Sequence, residues 1–359
     1  MSMQTIVKSS TIRDNSSLIA KVLPENAATF DIETTGFHKD RTSLYLIGLG
    51  RITGSDYEIT QYFADTKEDE KAVLEAFLAY LKDNGIEILV SFNGLGFDVP
   101  YLSHKLEKYN LPSDLKSFTH LDIYKIVAAQ KSLFRLDSYA QKSIEHFLGI
   151  GREDEFNGGQ LIPIYEAYAA SPNDELLKPL LLHNYEDVLG MLDLIPILSY
   201  FYDINGISFN TFSKKEVDGD ILYLEFKLEH PVPKDIEFKN NTLALYFHNN
   251  IAGIELPLYE GRAKLFYPDF KDYYYLPEED YAIHKSVAEF MDKSRRIKAT
   301  KNTAYSFVNG TFINSFGSTV DKIFCKSKLS DDKLILLDDN LSLPSDFIFF
   351  LKEYIKLMK

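Results

Sequence analysis

The stretch of residues 28–36 constrains the fold more than any other part of the sequence. Its apolar start and its Thr-Thr-Gly end indicate a buried strand that stops at a turn. With the two-residue period of a strand, Phe30 and Ile32 point to one face, while Asp31 and Glu33 point to the other. Two carboxylates this close repel each other unless a positive charge lies between them. Solvated charges on an exposed strand are the alternative, but a buried strand end favours a divalent metal site.

The composition is that of a globular chain. It has 359 residues, 45% of them hydrophobic and 26% charged, which is enough for two domains. The single cysteine, Cys325, excludes an intramolecular disulfide bond and a cysteine-rich zinc site. The first 18 residues lack the apolar core of a signal peptide, and no segment reaches the ~20 apolar residues of a membrane span. We therefore expect a cytoplasmic protein that does not associate with membranes.

The charge is acidic and unevenly distributed. A net charge of −14 argues against a protein that coats nucleic acid without specificity, because phosphate binding requires surplus Lys and Arg. Residues 1–206 hold 18 Lys and Arg against 30 Asp and Glu, whereas residues 207–359 hold 21 against 23. The acid excess lies in the half with the suspected metal site. An enzyme that binds nucleic acid locally is compatible with this charge.

The segments after the first strand predict its neighbours in a sheet. Residues 43–52 and 57–64 read as two strands with short connections, which implies an antiparallel meander. A helix over residues 68–84 follows, and then a buried strand over residues 86–92. The usual crossover geometry places this last strand parallel to the first and next to it.

A third candidate ligand is Asp98. The fourth strand runs into residues 93–102, where two glycines allow a sharp turn and Asp98 follows at the start of a helix. A plain helix cap is the alternative for this carboxylate. Asp122, further on, is either a more distant acid of the site or a cap, because a mostly helical region starts there.

A histidine and an acid share one face of a late helix. His183 and Asp187 lie four positions apart in the predicted helix over residues 179–202, so both side chains project from the same side. A lone helical histidine is usually a packing residue, but the pairing with Asp187 favours a functional role.

The pattern of the sequence changes around residues 203–216, the predicted boundary between two domains. Residues 1–26 read as a polar lead-in with at most one helical turn. Residues 27–206 form the domain with the acids. Residues 207–359 form a smaller α+β accessory domain, a candidate for substrate binding. In it, apolar spacing predicts short strands and two helices, over residues 277–299 and 346–358.

The four acids Asp31, Glu33, Asp98 and Asp187 can meet at one place, because the strand ends of an open α/β sheet converge on one crevice. Four carboxylates around two metal ions ~3.5–4 Å apart suit in-line displacement at phosphorus. One ion would activate water and the other would stabilise the leaving 3′ oxygen. We infer phosphodiester hydrolysis.

These motifs resemble a known family. The order Asp-x-Glu, then Phe-Asn-x-x-x-Phe-Asp-x-Pro-Tyr-Leu, then an acid on a late helix is that of the DEDD 3′–5′ exonucleases. Within that superfamily the chain is most similar to the YprB-like predicted exonucleases, with the exonuclease domains of family B DNA polymerases as more distant relatives. The resemblance covers approximately residues 27–203.

The resemblance implies a fold, a cofactor and a substrate. The fold is α/β and ribonuclease H-like, a mixed five-stranded sheet flanked by helices. Two divalent ions, Mg²⁺ or Mn²⁺, would be bound by Asp31, Glu33, Asp98 and Asp187. The substrate would be the 3′ end of single-stranded DNA or RNA. In better-known members the general base is Tyr four residues, or His five residues, before the last acid. Here His183 stands at the four-residue spacing, and we assign it to orienting or deprotonating the attacking water.

Other residues are candidates for substrate binding. Asn93 would hydrogen-bond the terminal nucleotide or the attacking water, Phe97 would stack on a base or simply pack, and Thr34 lies beside the acids. Three residues of a basic stretch, Lys293, Arg295 and Arg296, would grip nucleic acid or form a solvated helix end. Two alternative functions stay open, a non-catalytic nucleic-acid-binding or assembly module and a structure-specific endonuclease.

Overall fold

The computed structural model describes residues 3–12, 17–112, 114–202, 212–240, 243–315, 322–327, 332–337 and 343. The chain divides into two compact units. The first unit contains the described residues up to Tyr202 together with Val232–Lys234, and the second contains the remaining described residues. The predicted boundary between residues 206 and 207 and the predicted helix over residues 346–358 lie outside the described residues.

The first unit is a mixed six-stranded sheet with helices packed against it. Its described elements are β1 (Met3–Thr11), α1 (Ser17–Val22), β2 (Ala27–Thr34), β3 (Leu44–Thr53), β4 (Asp56–Ala64), α2 (Glu70–Asp83), β5 (Ile88–Ser91), α3 (Asp98–Lys108), β6 (Thr119–Asp122), α4 (Ile123–Ala128), α5 (Lys131–Phe134), α6 (Gln141–Leu148), α7 (Gly158–Ala170), α8 (Asp174–Leu194) and α9 (Ser199–Tyr202). The strand order is β1-β4-β3-β2-β5-β6. Strands β1 to β4 pair antiparallel, and β2, β5 and β6 pair parallel. The predicted α/β class, the meander and the parallel fourth strand are confirmed.

Two parts of the prediction for this unit are wrong. The expected lead-in contains β1, which pairs with β4 along its whole length, so the sheet has six strands and not five. β1 is an edge strand with mostly polar, partly exposed residues, and therefore lacks the apolar run by which buried strands are recognised. The short strand β6 was also not predicted: the region expected to be mostly helical from residue 120 begins with the last residues of this strand, and its helices follow from Ile123.

Strand β2 separates the core from the acids. Phe30 is buried and its ring lies 6.4 Å from that of Phe77 in α2, so the apolar face of β2 packs on that helix. Asp31 lies on the other face, where Nδ2 of Asn184 in α8 donates to its Oδ2 at 3.0 Å. The alternation of the sequence thus directs the carboxylates toward α8.

Helix α8 approaches the sheet closely because β3 has a glycine at the crossing point. A Cβ on Gly48 would lie 2.2 Å from Oδ1 of Asn184 and 2.8 Å from Cγ2 of Val188. Gly48 is also the partner of Asp31 in the β2–β3 register. The absence of a side chain there is what lets Asn184 reach the acid.

A buried ion pair positions helix α3, which begins at Asp98. Nζ of Lys105 in α3 lies 2.8 Å from Oε1 of Glu70 in α2, and both side chains are at most 2% exposed. Glu70 also accepts hydrogen bonds from the backbone N–H of Leu44 and from the hydroxyl of Tyr109, both at 2.7 Å. Such a satisfied network fixes α3 against α2 and β3.

The second unit is rich in β-structure. Its described elements are β7 (Phe212–Asp218), β8 (Ile221–Lys227), β9 (Ile236–Lys239), β10 (Ala244–His248), β11 (Ile251–Pro257), β12 (Tyr259–Phe266), β13 (Tyr273–Leu276), β14 (Tyr281–His284), α10 (Lys285–Ala288), β15 (Ile297–Lys298), β16 (Tyr305–Asn314) and β17 (Leu334–Leu337). They form a five-stranded sheet, β7-β8-β11-β10-β9, and two three-stranded sheets, β12-β16-β17 and β14-β13-β15.

The predicted helix over residues 277–299 is wrong. Within that segment the structure has β14, the four-residue helix α10 and β15. Asp280 has a φ of 56° and closes the turn between β13 and β14, which then pair antiparallel. Val287 and Phe290, which the predicted helix would place on its buried apolar face, are 57% and 92% exposed. Strand pairing therefore prevails over the helical spacing of the apolar residues.

None of the helices in the described part of the chain is long and apolar enough to cross a membrane.

We predict that Gly48→Ala destabilises the first unit by about 1–3 kcal/mol, because the new methyl group would push α8 away from β3. Urea unfolding measures the loss. Gly151→Ala is the matched control, since a Cβ at Gly151 meets nothing within 4 Å and its φ is not positive. An equal loss for both variants would contradict the close approach of α8.

Candidate metal centre

Three of the five residues predicted for the catalytic site come together at the end of β2. Glu33, His183 and Asp187 each offer one ligand atom, and these atoms lie within 4.8 Å of one another. Asp31 lies on the same strand face as Glu33, and the two line a cavity of about 330 Å³ together with His183 and Asp187. Asp98 is buried, and its Oδ1 accepts a hydrogen bond from the backbone N–H of Ile32 at 3.2 Å. β2, α3 and α8 thus bring distant segments to one site.

The electrostatics of this cluster are those of surplus negative charge. Burial raises the pKa of Asp31 and of Glu33 well above the usual range, and repulsion from Asp187 and Asp98 adds to the effect. Burial also raises the pKa of Asp98 to about 7, against the hydrogen bonds that its carboxylate accepts. These acids repel one another in a place where burial weakens screening by water.

His183 is oriented by an acid that the sequence analysis missed. Its Nδ1 lies 2.6 Å from Oδ2 of Asp154, which also accepts from Nζ of Lys142 at 2.7 Å. Burial alone would raise the pKa of Asp154, but the hydrogen bonds from Lys142, the backbone N–H of Phe156 and His183 hold it below the usual range. An ionised Asp154 can only accept, so Nδ1 of His183 carries the proton.

The second ring nitrogen of His183 therefore faces the acids. Nε2 lies 3.6 Å from Oε1 of Glu33 and 3.4 Å from Oδ2 of Asp187. In the neutral ring, Nε2 is a lone-pair donor beside two carboxylates. An imidazole nitrogen with a free lone pair in this place can either bind a divalent cation directly or accept a proton from a water molecule beside the two carboxylates.

Asp187 is held by an arginine, also missed from the sequence. Nη1 of Arg152 donates to Oδ1 of Asp187 at 2.5 Å, and the same guanidinium binds Glu145 through Nε and Nη2. Burial by itself would lower the pKa of Arg152, but Glu145 and Asp187 raise it above its usual value. The guanidinium therefore stays charged and leaves Oδ2 of Asp187 turned toward His183.

The loop between α6 and α7 supplies both of these positioning residues. Glu186 of α8 accepts hydrogen bonds from the backbone N–H groups of Glu153 and Asp154, both at 2.9 Å. The loop is thereby attached to the helix whose side chains it orients. The only sequence signal was a dense charged run, residues 152–155, just before the helix cap at Asn157.

Asn184 is the third residue missed from the sequence. It is completely buried, and its Oδ1 accepts from Nε2 of Gln61 at 2.9 Å while its Nδ2 donates to Asp31. A buried amide with both ends satisfied fixes the orientation of the carboxylate. Its position next to His183 was the available signal.

The substrate candidates of the first unit fall into two groups. Thr34 and Phe97 line the cavity, together with Phe37, which is 86% exposed and meets the ring of Phe97 edge-on at 5.7 Å. Asn93 is exposed and is not among the lining residues. Its backbone N–H donates to Asp122, which also caps α4, so Asp122 acts as a cap.

The basic candidates lie in the second unit. Arg295 forms ion pairs with Glu278 and Glu279. Arg296 donates to the backbone carbonyl of Ala288. Lys293 is exposed, and no ion pair of this lysine occurs among the described residues. A role of these three residues in substrate binding stays a prediction.

Comparison of this sequence with known proteins supports the same fold. The family model of the RNase H superfamily matches residues 28–199. Residues 28–199 form an RNase H-like domain. The uncharacterized protein YprB of Bacillus subtilis strain 168 is 29% identical over 173 residues, which span 47% of this chain and 41% of the relative. The predicted RNase H-like and YprB-like relationships are thus confirmed.

A solved structure is also similar. The family B DNA polymerase from the hyperthermophilic archaeon Pyrobaculum calidifontis aligns with a TM-score of 0.41 and 15% identity, over 73% of this chain and 40% of the polymerase chain. This chain therefore spans less than half of the length of each of these two proteins.

RNase H-like domains are typically nuclease domains that use divalent metal ions. The residues at the end of β2 fit such ions. Carboxylates with pKa values raised by burial and by one another need positive charge, and Glu33, His183 and Asp187 place ligand atoms close enough to share one ion.

We predict that Mn²⁺ or Mg²⁺ stabilises the protein by about 2.7 kcal/mol at a hundredfold excess over Kd, or roughly 5–10 °C in Tm. Without metal, the raised pKa values make folded Asp31, Glu33 and Asp98 hold protons that the unfolded chain releases. Because the pKa of folded Asp98 is about 7, its contribution to the stability of the metal-free protein falls as pH rises from about 4 to about 7, and the raised pKa values of Asp31 and Glu33 act in the same direction. Because protons compete with metal, the gain in Tm is larger at pH 8 than at pH 6.

Asp31→Asn tests the same cluster, because this substitution should raise the melting temperature of the metal-free protein. In EDTA at pH 8 this variant should melt above the wild type, because it removes one of the repelling charges, and added Mn²⁺ should leave its Tm nearly unchanged. The exposed Glu25→Gln carries the same charge change and should respond to metal like the wild type. A full metal response of Asp31→Asn would show that Asp31 is no ligand.

Proposed function

We propose that this protein is a metal-dependent 3′–5′ exonuclease of the DEDD type, which hydrolyses phosphodiester bonds at single-stranded nucleic acid ends. The observation that carries the proposal is the convergence of Glu33, His183 and Asp187 in one cavity of an RNase H-like domain. Asp31 lines the same cavity, and Asp98 is buried behind it, where it accepts a hydrogen bond from the backbone N–H of Ile32. The order of these residues along the chain is that of the DEDD motifs.

The acids of the cluster have a common task. Asp31, Glu33, Asp98 and Asp187 would bind two divalent ions, Mg²⁺ or Mn²⁺. When bound, such ions supply Lewis-acid chemistry that activates water and stabilises the leaving oxygen. Asn184 and Arg152 hold the carboxylates of Asp31 and Asp187 in fixed orientations, so that little reorganisation is required when the substrate arrives.

His183 would accept the proton of the attacking water through Nε2. The ring is suited to this because Asp154 accepts a hydrogen bond from the protonated Nδ1 and stabilises the imidazolium that forms. Lys142 keeps Asp154 ionised. His183 lies within 3.6 Å of both Glu33 and Asp187, so the proton acceptor and the carboxylates act on the same small volume.

The wall of the cavity suits the end of a single strand. Phe37 and Phe97 form an edge-to-face pair at its mouth, and Phe37 leaves most of its ring exposed. Such a ring stacks on any base, which supports binding without sequence preference. Thr34, which follows Glu33 in β2, also lines the cavity.

We predict that the protein with Mn²⁺ degrades 5′-labelled single-stranded DNA or RNA to a descending ladder, and that Asp31→Asn slows this at least about 100-fold. A 3′-phosphate block should abolish the ladder. Denaturing gels of time courses measure both effects. Internal cleavage of the blocked strand would identify an endonuclease instead, and the absence of any cleavage with Mn²⁺ or Mg²⁺ would leave a binding module.

We predict that Asp154→Asn lowers kcat about 10–100-fold with little change in KM, because an amide at this position lets His183 carry its proton on Nε2. A purely structural role would instead lower Tm and change both constants. The matched control is Glu155→Gln, an exposed acid one position along the same loop. The proposed role of Asp154 is wrong if the pH profile of kcat is the same for wild type and Asp154→Asn.

A further inference from the structure

The second unit contains a cavity of about 500 Å³ whose lining is basic and aromatic. It lies against the small sheet β14-β13-β15 and helix α10. Its lining includes three aromatic residues and three cations that matter here, Phe270, Tyr273, Tyr274, Lys271, Arg296 and Lys298. Its volume is in the range of ordinary ligand pockets.

Three of the four cations that line this cavity have no acidic ion-pair partner among the described residues. Among the described residues, Lys271, Arg296 and Lys298 form no ion pair with a carboxylate. Lys285 also lines the cavity but pairs with Asp272 at 2.7 Å, and Glu289 is the one acid in the lining. The cavity is therefore positive, although the chain carries a net charge of −14. Such a local excess attracts an anionic ligand.

The aromatic rings are held in place. Tyr273 stacks on Tyr267 with ring centroids 4.2 Å apart and an interplanar angle of 7°. Tyr274 is the partner of Lys298 in the β13–β15 register, so the two side chains share one face of the sheet. The guanidinium of Arg296 lies 5.0 Å from the centre of the Tyr274 ring. Tyr274, Arg296 and Lys298 thus bring one ring and two positive charges to the same face of the small sheet, whereas Tyr273, the neighbour of Tyr274 in β13, points to the other face.

We propose that this cavity binds a segment of single-stranded nucleic acid. Its phosphates would contact Lys271, Arg296 and Lys298, and a base would lie against Tyr274. Single strands expose both the phosphates and the base faces, whereas a duplex keeps its bases stacked and an acidic peptide offers no flat ring. The choice of ligand rests on the proposed function, since a nuclease requires a nucleic-acid substrate.

The test measures binding to the full-length protein in EDTA, where no hydrolysis occurs. The probe is a fluorescein-labelled oligonucleotide of about 12 nucleotides and mixed sequence, as DNA and as RNA, followed by anisotropy at several salt concentrations. Lys271→Ala/Lys298→Ala should weaken binding about tenfold and lower the slope of log K against log salt by about 1.4, because two phosphate contacts are lost. The matched control Lys227→Ala/Lys239→Ala removes two exposed lysines from another sheet of the same unit and should change neither quantity.

A second pair of variants tests stacking. Tyr274→Leu should weaken binding about 5- to 100-fold, whereas Tyr274→Phe should keep it. If Tyr274→Leu lowers Tm, the lysine variants still decide the matter, since both lysines are exposed. The inference is overturned if the cavity variants bind like their controls, or if polyglutamate displaces the oligonucleotide as well as unlabelled strand does. Binding that follows these expectations without any hydrolysis in Mn²⁺ would overturn the proposed function alone.

Discussion

The repulsion among buried carboxylates is the constraint around which the site of the first unit is built. Burial leaves Asp31, Glu33 and Asp98 with little screening by water, and their raised pKa values reflect this cost. A protein selected for stability alone would have placed apolar residues at these positions. The surrounding structure holds three of the acids by hydrogen bonds, Asp31 from Asn184, Asp98 from the backbone N–H of Ile32 and Asp187 from Arg152. In the proposed function, divalent cations would supply the positive charge that the cluster lacks.

Helix α8 concentrates this arrangement in a single turn. His183, Asn184 and Asp187 face different parts of the site. Each has its own hydrogen-bond partner: Asp154 for His183, Gln61 for Asn184 and Arg152 for Asp187. The helix can lie this close because Gly48 has no side chain. A substitution in the supporting residues would therefore displace one of these side chains without removing it, and in the proposed function it would lower the rate as well as the stability.

Much of this could be predicted from the sequence, for reasons that individual residues make clear. The acids of β2 and the pair His183 and Asp187 were found because strand and helix periods fix the direction of side chains. Arg152 and Asp154 were missed because their loop has no period, and only the folded chain brings it to α8. β1 was missed because an edge strand needs no apolar run, and the helix over residues 277–299 was wrong because pairing with β13 outweighed local spacing.

The loop between α6 and α7 has a consequence for how the sequence can change. Asp154 is useful only beside His183 and Lys142, and Arg152 only beside Glu145 and Asp187. Loss of one member leaves an unpaired buried charge, so the others lose their selective value too. We expect relatives to keep or lose these groups together, and a chain that replaces the histidine of α8 to dispense with the aspartate of the loop as well.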